Sequence, residues 1–253
     1  MKSIRWLLGL LLIVVGLSTT WAWGEVARMA EPSLVADQPL VTALYAAWQR
    51  DGSEQSTLFR SIDEGATWVP LVLPTSAAPR VWTDDGAKQV AVAMDDGSVL
   101  RSGDRGDTWT VAAEGLPVSS LVWDKDGGLY LGTSGQGIYR LAADGTLLDI
   151  TMTNGELATA EAEIVDLSLA GGHLFAATPT VLYHTADRGA TWTKTTPLPE
   201  RVTAVVATDP QTVYAGTATV GVYKSSDAGQ TWQPAWEGLG LAAGQMVKVT
   251  ALR

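Results

Sequence analysis

Short runs of alternating apolar and polar residues, each bounded by turn formers, fill residues 39–253. Ile164–Ala170 and His173–Thr178 flank Gly171-Gly172, and Val181–Thr185 and Trp192–Thr196 flank a polar corner. Val202–Thr208, Thr212–Ala218, Gly221–Ser225 and Trp232–Ala235 repeat the same order. Runs this short predict units of four β-strands rather than helices. Asp51-Gly52, Asp85-Gly86, Asp96-Gly97 and Asp126-Gly127 mark further tight hairpins. One stretch breaks the pattern: Trp6–Leu17 is an unbroken apolar run behind Lys2 and Arg5.

The polar corners share one sequence, Ser/Thr-x-Asp-x-Gly-x-Thr-Trp. It is carried by Ser61, Asp63, Gly65, Thr67 and Trp68, and again by Ser102, Asp104, Gly106, Thr108 and Trp109. Thr185, Asp187, Gly189, Thr191 and Trp192 form a third copy, and Ser225, Asp227, Gly229, Thr231 and Trp232 a fourth. An Asp side chain accepts hydrogen bonds from backbone N–H groups that follow it, and a Ser or Thr hydroxyl ties down another. Gly allows the chain to reverse at positive φ. Trp then opens the next strand with a large apolar surface. The corner is therefore read as structural. A calcium loop needs more carboxylates at ligand spacing than each copy supplies.

Asp63 and Asp104 are 41 residues apart, Asp187 and Asp227 are 40, and Asp104 and Asp187 are 83. The double interval hides a degenerate copy. Gly137–Gly145 aligns with Gly221–Gly229, Ala143 replacing the Asp and Leu148 the Trp. Five repeats of this length predict an all-β chain folded as a β-propeller of five four-stranded blades. The boxes resemble the Asp-box (bacterial neuraminidase) repeat of β-propellers, in which the box is a structural element lying away from the ligand site.

Residues 1–24 read as a membrane-targeting segment. Residues 6–24 carry no charge over nearly the ~20 positions needed to span hydrocarbon. Trp6 at one end, with Trp21 and Trp23 at the other, suits the interfacial belts of a single-pass transmembrane helix. A cleaved signal peptide is the other reading, with a cut after Ala22 or Gly24. Both place the propeller on the extracytoplasmic side of the cytoplasmic membrane. Residues 25–38 form a linker, and 39–253 the propeller. At the far end Gln245–Arg253 has strand alternation and echoes Arg201–Val205, whereas Leu40–Trp48 matches a second strand. Met246–Leu252 is thus expected to complete blade one. The alternative is that Ser33–Ala36 supplies the strand.

Composition removes several functions. With no cysteine there is no disulfide, zinc-thiolate site or thiol nucleophile. A net charge of −10 without a basic block beyond the first five residues argues against nucleic acid and anionic headgroups as partners. No metal site, cofactor motif or Ser-His-Asp pattern involving His173 or His184 is present in the sequence.

Before the five corners stand Arg60, Arg101, Arg140, His184 and Lys224. They form either an anion-binding ring or a set of stems covering apolar surface with heads in water. Tyr139, Tyr183 and Tyr223, one residue earlier, face the other way and suit inter-blade packing.

The resemblance makes a sialidase-like glycosidase one expectation. Such enzymes use an arginine cluster, a Tyr–Glu nucleophile and an acidic acid/base. This chain lacks their Arg-Ile-Pro motif, has five repeats rather than six, and does not aim Arg50, Arg80, Arg201 and Arg253 at one centre. It also resembles exported propellers of the photosystem II assembly/stability-factor type, which are larger and bind protein partners. The expected function is non-catalytic: a membrane-anchored accessory or assembly subunit docking on a membrane protein complex. Its contact loops would be Arg50–Ser56, Thr153–Glu163 and Pro234–Gly244. A glycan-binding propeller and a secreted free-standing one are the alternatives.

Overall fold

The computed structural model describes residues 43–49, 56–151, 163–235 and 248–252. The membrane-targeting segment, the linker and most of the three contact loops lie outside them. The described residues contain no helix long and apolar enough to cross a membrane.

Five antiparallel sheets follow one another along the chain. Blade one holds β1 (Leu44–Gln49), β2 (Ser56–Ser61) and β3 (Val69–Pro70). Blade two holds β4 (Pro79–Asp84), β5 (Val90–Met94), β6 (Val99–Ser102) and β7 (Thr110–Ala113). Blade three has β8 (Val118–Trp123), β9 (Leu129–Thr133), β10 (Ile138–Leu141) and β11 (Leu147–Asp149). Blade four has β12 (Asp166–Ala170), β13 (His173–Ala177), β14 (Leu182–Thr185) and β15 (Thr193–Lys194). Blade five has β16 (Val202–Ala207), β17 (Val213–Thr217), β18 (Val222–Ser225) and β19 (Gln233–Pro234). Each four-stranded blade pairs its strands in chain order, the up-and-down arrangement expected from the repeat.

Blade one is the exception to four strands. β2 leads into the box at Ser61, so β2 is a third strand and β1, its partner, a second strand. Leu44–Gln49 therefore has the place expected of Leu40–Trp48, and the innermost strand of blade one is missing among the described residues.

The core lies between blades. Leu121 and Trp123 of β8 pack on Ala91 and Ala93 of β5, and Ile138 of β10 packs with Leu167 of β12. Phe175 of β13 packs with Val205 and Ala215 of blade five. Second strands are covered on both faces, so β5 is buried at every position and its sequence, Val-Ala-Val-Ala-Met, shows no polar alternation. Small residues there let neighbouring sheets approach closely.

The degenerate corner is shorter than the alignment implies. In the complete boxes the residue before the corner pairs nine positions on, as His184 with Thr193 and Lys224 with Gln233. Arg140 instead pairs with Leu148, only eight positions on. Leu147, not Leu148, thus stands in the Trp position. Without the box Asp the corner is closed by backbone bonds, Ala142 N–H to Thr146 O at 2.8 Å and Gly145 N–H to Ala142 O at 3.0 Å, and by Asp144 Oδ1, which accepts the Thr146 N–H at 2.9 Å.

Candidate functional site: box corners and seams between blades

Each complete box is closed by its own side chains. In blade four the Thr185 hydroxyl donates to Asp187 Oδ1 at 2.7 Å and accepts the Gly189 N–H at 3.0 Å. Asp187 Oδ1 also accepts the Thr191 N–H at 2.8 Å, and Oδ2 the Thr191 hydroxyl at 2.6 Å. Asp63, Asp104 and Asp227 repeat these bonds with Thr67, Thr108 and Thr231. The threonine hydroxyl, then its N–H and the leading Ser or Thr hydroxyl, hold each of the four carboxyls at about 2. Both oxygens of each Asp are used inside the corner, so the box offers no free carboxylate to a ligand. The sequence reading gave the Asp, Gly and leading hydroxyl their roles but assigned none to the threonine.

The box glycines meet two requirements at once. Gly106, Gly189 and Gly229 have φ near +90°, and each also receives a residue of the preceding blade. A methyl on Gly189 would lie 2.8 Å from Ile150 Cβ, and one on Gly229 2.5 Å from Thr195 Cγ2. The box tryptophans reach the same seam: Trp192 Nε1 donates to Ile150 O and Trp232 Nε1 to Thr196 O, both at 3.0 Å. The corner thus grips the outer strand of the blade before it.

The cations that precede the corners are engaged as well, Arg60 and Arg101 across a seam and Arg140, His184 and Lys224 within their own blades. Arg60 donates to Arg105 O at 2.7 Å and pairs with Asp107 at 2.9 Å, both in the box of blade two. Arg101 bonds Gly127 O of blade three at 3.0 Å and lies over the Trp123 ring, 5.1 Å from its centroid. Arg140 lies over Tyr130 and reaches Asp124 at 3.4 Å; Lys224 lies over Tyr214. His184 stacks on Phe175 and His173, and burial, with His173 adding to it, lowers its pKa. Cross-strand aromatics face four of the five cations, and for Arg60 and Arg101 the next blade also holds the charge. Tyr139 and Tyr223 pack in the cores between blades, and Tyr183 packs with Val181 and Trp192.

The remaining described arginines are also engaged. Arg105 Nε donates to Ala87 O at 2.8 Å, and Arg188 pairs with Asp126. On the face opposite the boxes Arg80 pairs with Asp95 at 3.4 Å and Arg201 with Glu163 at 3.2 Å. No arginine cluster for a substrate carboxylate forms among the described residues. Nor do three His, Asp or Glu side chains gather there as a metal site.

Two carboxyls do more than the sequence suggests: Asp166 is not singled out there, and Asp84, paired in sequence with Asp85, reads as a turn former rather than an acid–base group. Asp166, at the head of β12, accepts the Ser120 hydroxyl from blade three and the Val205 N–H from blade five, both at 3.0 Å, and so ties three blades together. Asp84, at the end of β4, accepts the Gly86 N–H with Oδ1 at 2.8 Å, while Oδ2 is buried without a partner among the described residues. Burial pushes the Asp84 carboxyl up to about 6.

The family described as photosynthesis system II assembly factor YCF48 matches residues 151–248, which contain blades four and five. No curated protein matches the chain. Among solved structures, a GH74 xyloglucanase from Xanthomonas campestris aligns with a TM-score of 0.64 at 17% identity over 83% of this chain. This chain spans only 38% of that enzyme. YCF48 bound to D1 peptide aligns with a TM-score of 0.61 at 14% identity, over 90% of this chain and 76% of that one. YCF48 from Cyanidioschyzon merolae aligns with a TM-score of 0.57 at 11% identity, covering 83% and 77%. Together with the four boxes and the five sheets, these likenesses make the chain a β-propeller of the Asp-box type.

Proposed function

We propose that this chain is a non-catalytic accessory or assembly subunit that docks on a membrane protein complex. The observation that carries this reading is the assembly-factor match across residues 151–248. One propeller of similar fold, YCF48, is known bound to D1 peptide, and we infer a peptide segment of a protein partner as the ligand class here. Residues 6–24 would hold the propeller at the extracytoplasmic face of the membrane as an uncleaved helix.

The face opposite the boxes is the proposed docking side. The described flanks of all three contact loops lie there: Gln49 and Ser56, Thr151 and Glu163, and Ala235 all stand at strand ends away from the corners. Loops projecting from a rigid scaffold carry recognition. On the box face, in contrast, the four box carboxylates are consumed in the corners and Arg60 and Arg101 in the seams. The pairing of the described arginines also argues against a sialidase-like glycosidase, because a substrate carboxylate needs free guanidinium groups.

Extraction of native membranes in mild detergent, native gel separation and mass spectrometry of the band test the proposal. A co-migrating membrane complex that retains peptides from residues 6–24 is expected. A free soluble protein beginning near residue 23 or 25 would overturn the anchor, and saturable binding on a glycan array would overturn the protein-docking reading in favour of a glycan-binding propeller.

A further inference from the structure

Near its end each inner strand carries a residue that faces the preceding blade, and in three blades that residue is apolar. Trp123 of β8 packs with Ala91 and Ala93 of blade two, Leu169 of β12 with Tyr130 and Ile138 of blade three, and Ala207 of β16 with Phe175 of blade four. Pairing fixes the correspondence. The three lie opposite Leu129, Leu174 and Val213, which pair in turn with Leu141, Thr185 and Ser225 at the head of each corner. In blade two the same place, opposite Val90 and in line with Ser102, is held by Asp84. Trp82, two residues earlier and therefore on the same face, packs with Tyr45 and Leu58 of blade one. A titratable carboxyl thus stands where the other seams are closed by apolar side chains.

Among the described residues no cation answers it. Asp84 borders a small pocket lined by Ala43, Tyr45, Lys88 and Gln89. Its Oδ1 accepts the Gly86 N–H at 2.8 Å, whereas Oδ2 is buried and has no described partner. Across the seam the Tyr45 hydroxyl of β1 donates to Arg105 O at 3.2 Å, and Arg60 of β2 is taken up by Arg105 O and Asp107. Arg105 itself turns its Nε to Ala87 O, and Lys88 stands exposed at the outside of the hairpin. Asp85 adds a second negative charge beside Asp84, its Oδ1 accepting the N–H groups of Ala87, Lys88 and Gln89. Burial, opposed by the Gly86 bond and assisted by Asp85, pushes the Asp84 carboxyl up to about 6.

The same seam is short of polar bonds elsewhere. Trp109, the box tryptophan of blade two, has its Nε1 buried without a described partner, where Trp192 and Trp232 donate to the blade before them. Trp82 Nε1 is buried and unpartnered likewise. Blade one shows three strands, and residues 248–252 pair with none of them. Val249 instead bonds Thr217 and Thr203 of blade five.

We propose that the seam between blades one and two is a pH-sensitive joint of the ring, held shut by Asp84 as a neutral acid and loosened when Asp84 loses its proton. A neutral carboxyl can stay in an apolar seam at modest cost, whereas a carboxylate without a partner there is strongly disfavoured. The folded protein holds this proton more tightly than the unfolded chain does. Its stabilisation is therefore complete below about pH 4 and is lost as pH rises through about 6. The box aspartates run the other way, their contribution being lost only as pH falls toward about 2.

Thermal melting of the full-length protein in mild detergent, from pH 4.5 to pH 8, tests the joint. Because His173 and His184 titrate in this range too, the readout is the difference between wild type and Asp84→Asn. That variant should melt several degrees above wild type at pH 7.5 and level with it near pH 4.5. Asp84→Leu, which puts the residue of blade four in this place, loses the Gly86 bond at every pH and should follow Asp84→Asn with a constant offset. A lower midpoint for Asp84→Asn at pH 7.5 would mean that the carboxylate has a partner, and a difference that does not change with pH would mean that Asp84 does not titrate. Either overturns the proposal. Hydrogen exchange followed by mass spectrometry, corrected for the intrinsic effect of pH, locates the opening. Amides of β1 and β2 should lose protection between pH 5 and pH 7.5 in wild type but not in Asp84→Asn, with blades four and five unchanged. An equal change in all blades, or none in β1 and β2, would refute a joint at this seam.

Discussion

Gly189 and Gly145 separate the two demands placed on a box glycine. Both have positive φ, +92° and +89°. At Gly189 an added methyl meets Ile150 Cβ at 2.8 Å and Cδ1 at 2.9 Å, whereas at Gly145 it meets nothing within 4 Å. Gly145→Ala should therefore cost only the backbone strain of an L-residue at positive φ, about 1–2 kcal/mol. Gly189→Ala adds a clash with a branched side chain held between two blades, worth about 1–3 kcal/mol more. Its total is about 2–5 kcal/mol. Urea unfolding followed by tryptophan fluorescence gives both values as shifts in midpoint at constant slope. Combining Gly189→Ala with Ile150→Ala should cost less than the sum of the single variants, because truncating Ile150 makes room for the methyl. Equal losses at positions 145 and 189, or strict additivity in the double variant, would refute the claim that the box glycine is a docking point for the preceding blade.

Three further expectations follow from the same geometry. Thr191→Val removes the hydroxyl that donates to Asp187 Oδ2 at 2.6 Å, so the Asp187 carboxyl should rise from about 2 toward its ordinary range, read by carboxyl NMR titration. Because that carboxyl is depressed in the fold, its stabilisation is present above about pH 4 and lost as pH falls toward about 2. The variant should accordingly lose stability at neutral pH and show a shallower acid transition. Arg60→Met keeps the stem but drops the bonds to Arg105 O and Asp107, and should cost about 1–3 kcal/mol in urea unfolding. Trp232→Phe keeps most of the ring contact but loses the bond to Thr196 O, for about 0.5–1.5 kcal/mol in the same assay.

The repeat made most of the architecture legible. A box names its own strand order, so β14 and β18 could be placed from Thr185 and Ser225 alone, and the 83-residue interval exposed a blade whose corner has lost its Asp. The register of that corner was not legible, because alignment on Gly145 assumes an eight-residue box where backbone hydrogen bonds close a shorter hairpin. The seams were legible only in outline. Arg60, Arg101 and Arg140 were visible as a recurring charge, but their partners, the Arg105 and Gly127 carbonyls and Asp124, belong to strands or blades that sequence spacing does not bring together. Asp84 was hidden for a different reason. It sits in an Asp-Asp-Gly turn where an acid looks like a turn former, and only burial of its second oxygen marks it as something else.

The use made of polar groups within a blade bears on how such a scaffold divides its labour. A small four-stranded sheet exposes two apolar faces and cannot be stable alone, so every blade must be fixed to the next. Here much of the fixing by exposed-side polar groups is done at the box end of each blade, while the buried Asp166 ties three blades together at the other end. Trp192 and Trp232 bond the outer strand of the preceding blade, and Arg60 and Arg101 bond the blade that follows. Residues used this way are unavailable for recognition, since moving any of them to a ligand would leave a buried carbonyl or carboxylate unpaired. Apart from Asp166, the charged side chains at the opposite end carry fewer such obligations: Arg80–Asp95 and Arg201–Glu163 are half-exposed ion pairs, which contribute little to stability. Sequence change is therefore least costly at that end, and it is there that the proposed contact loops are attached. A partner-binding specificity placed on that face can vary without disturbing the corners and seams on which the fold depends.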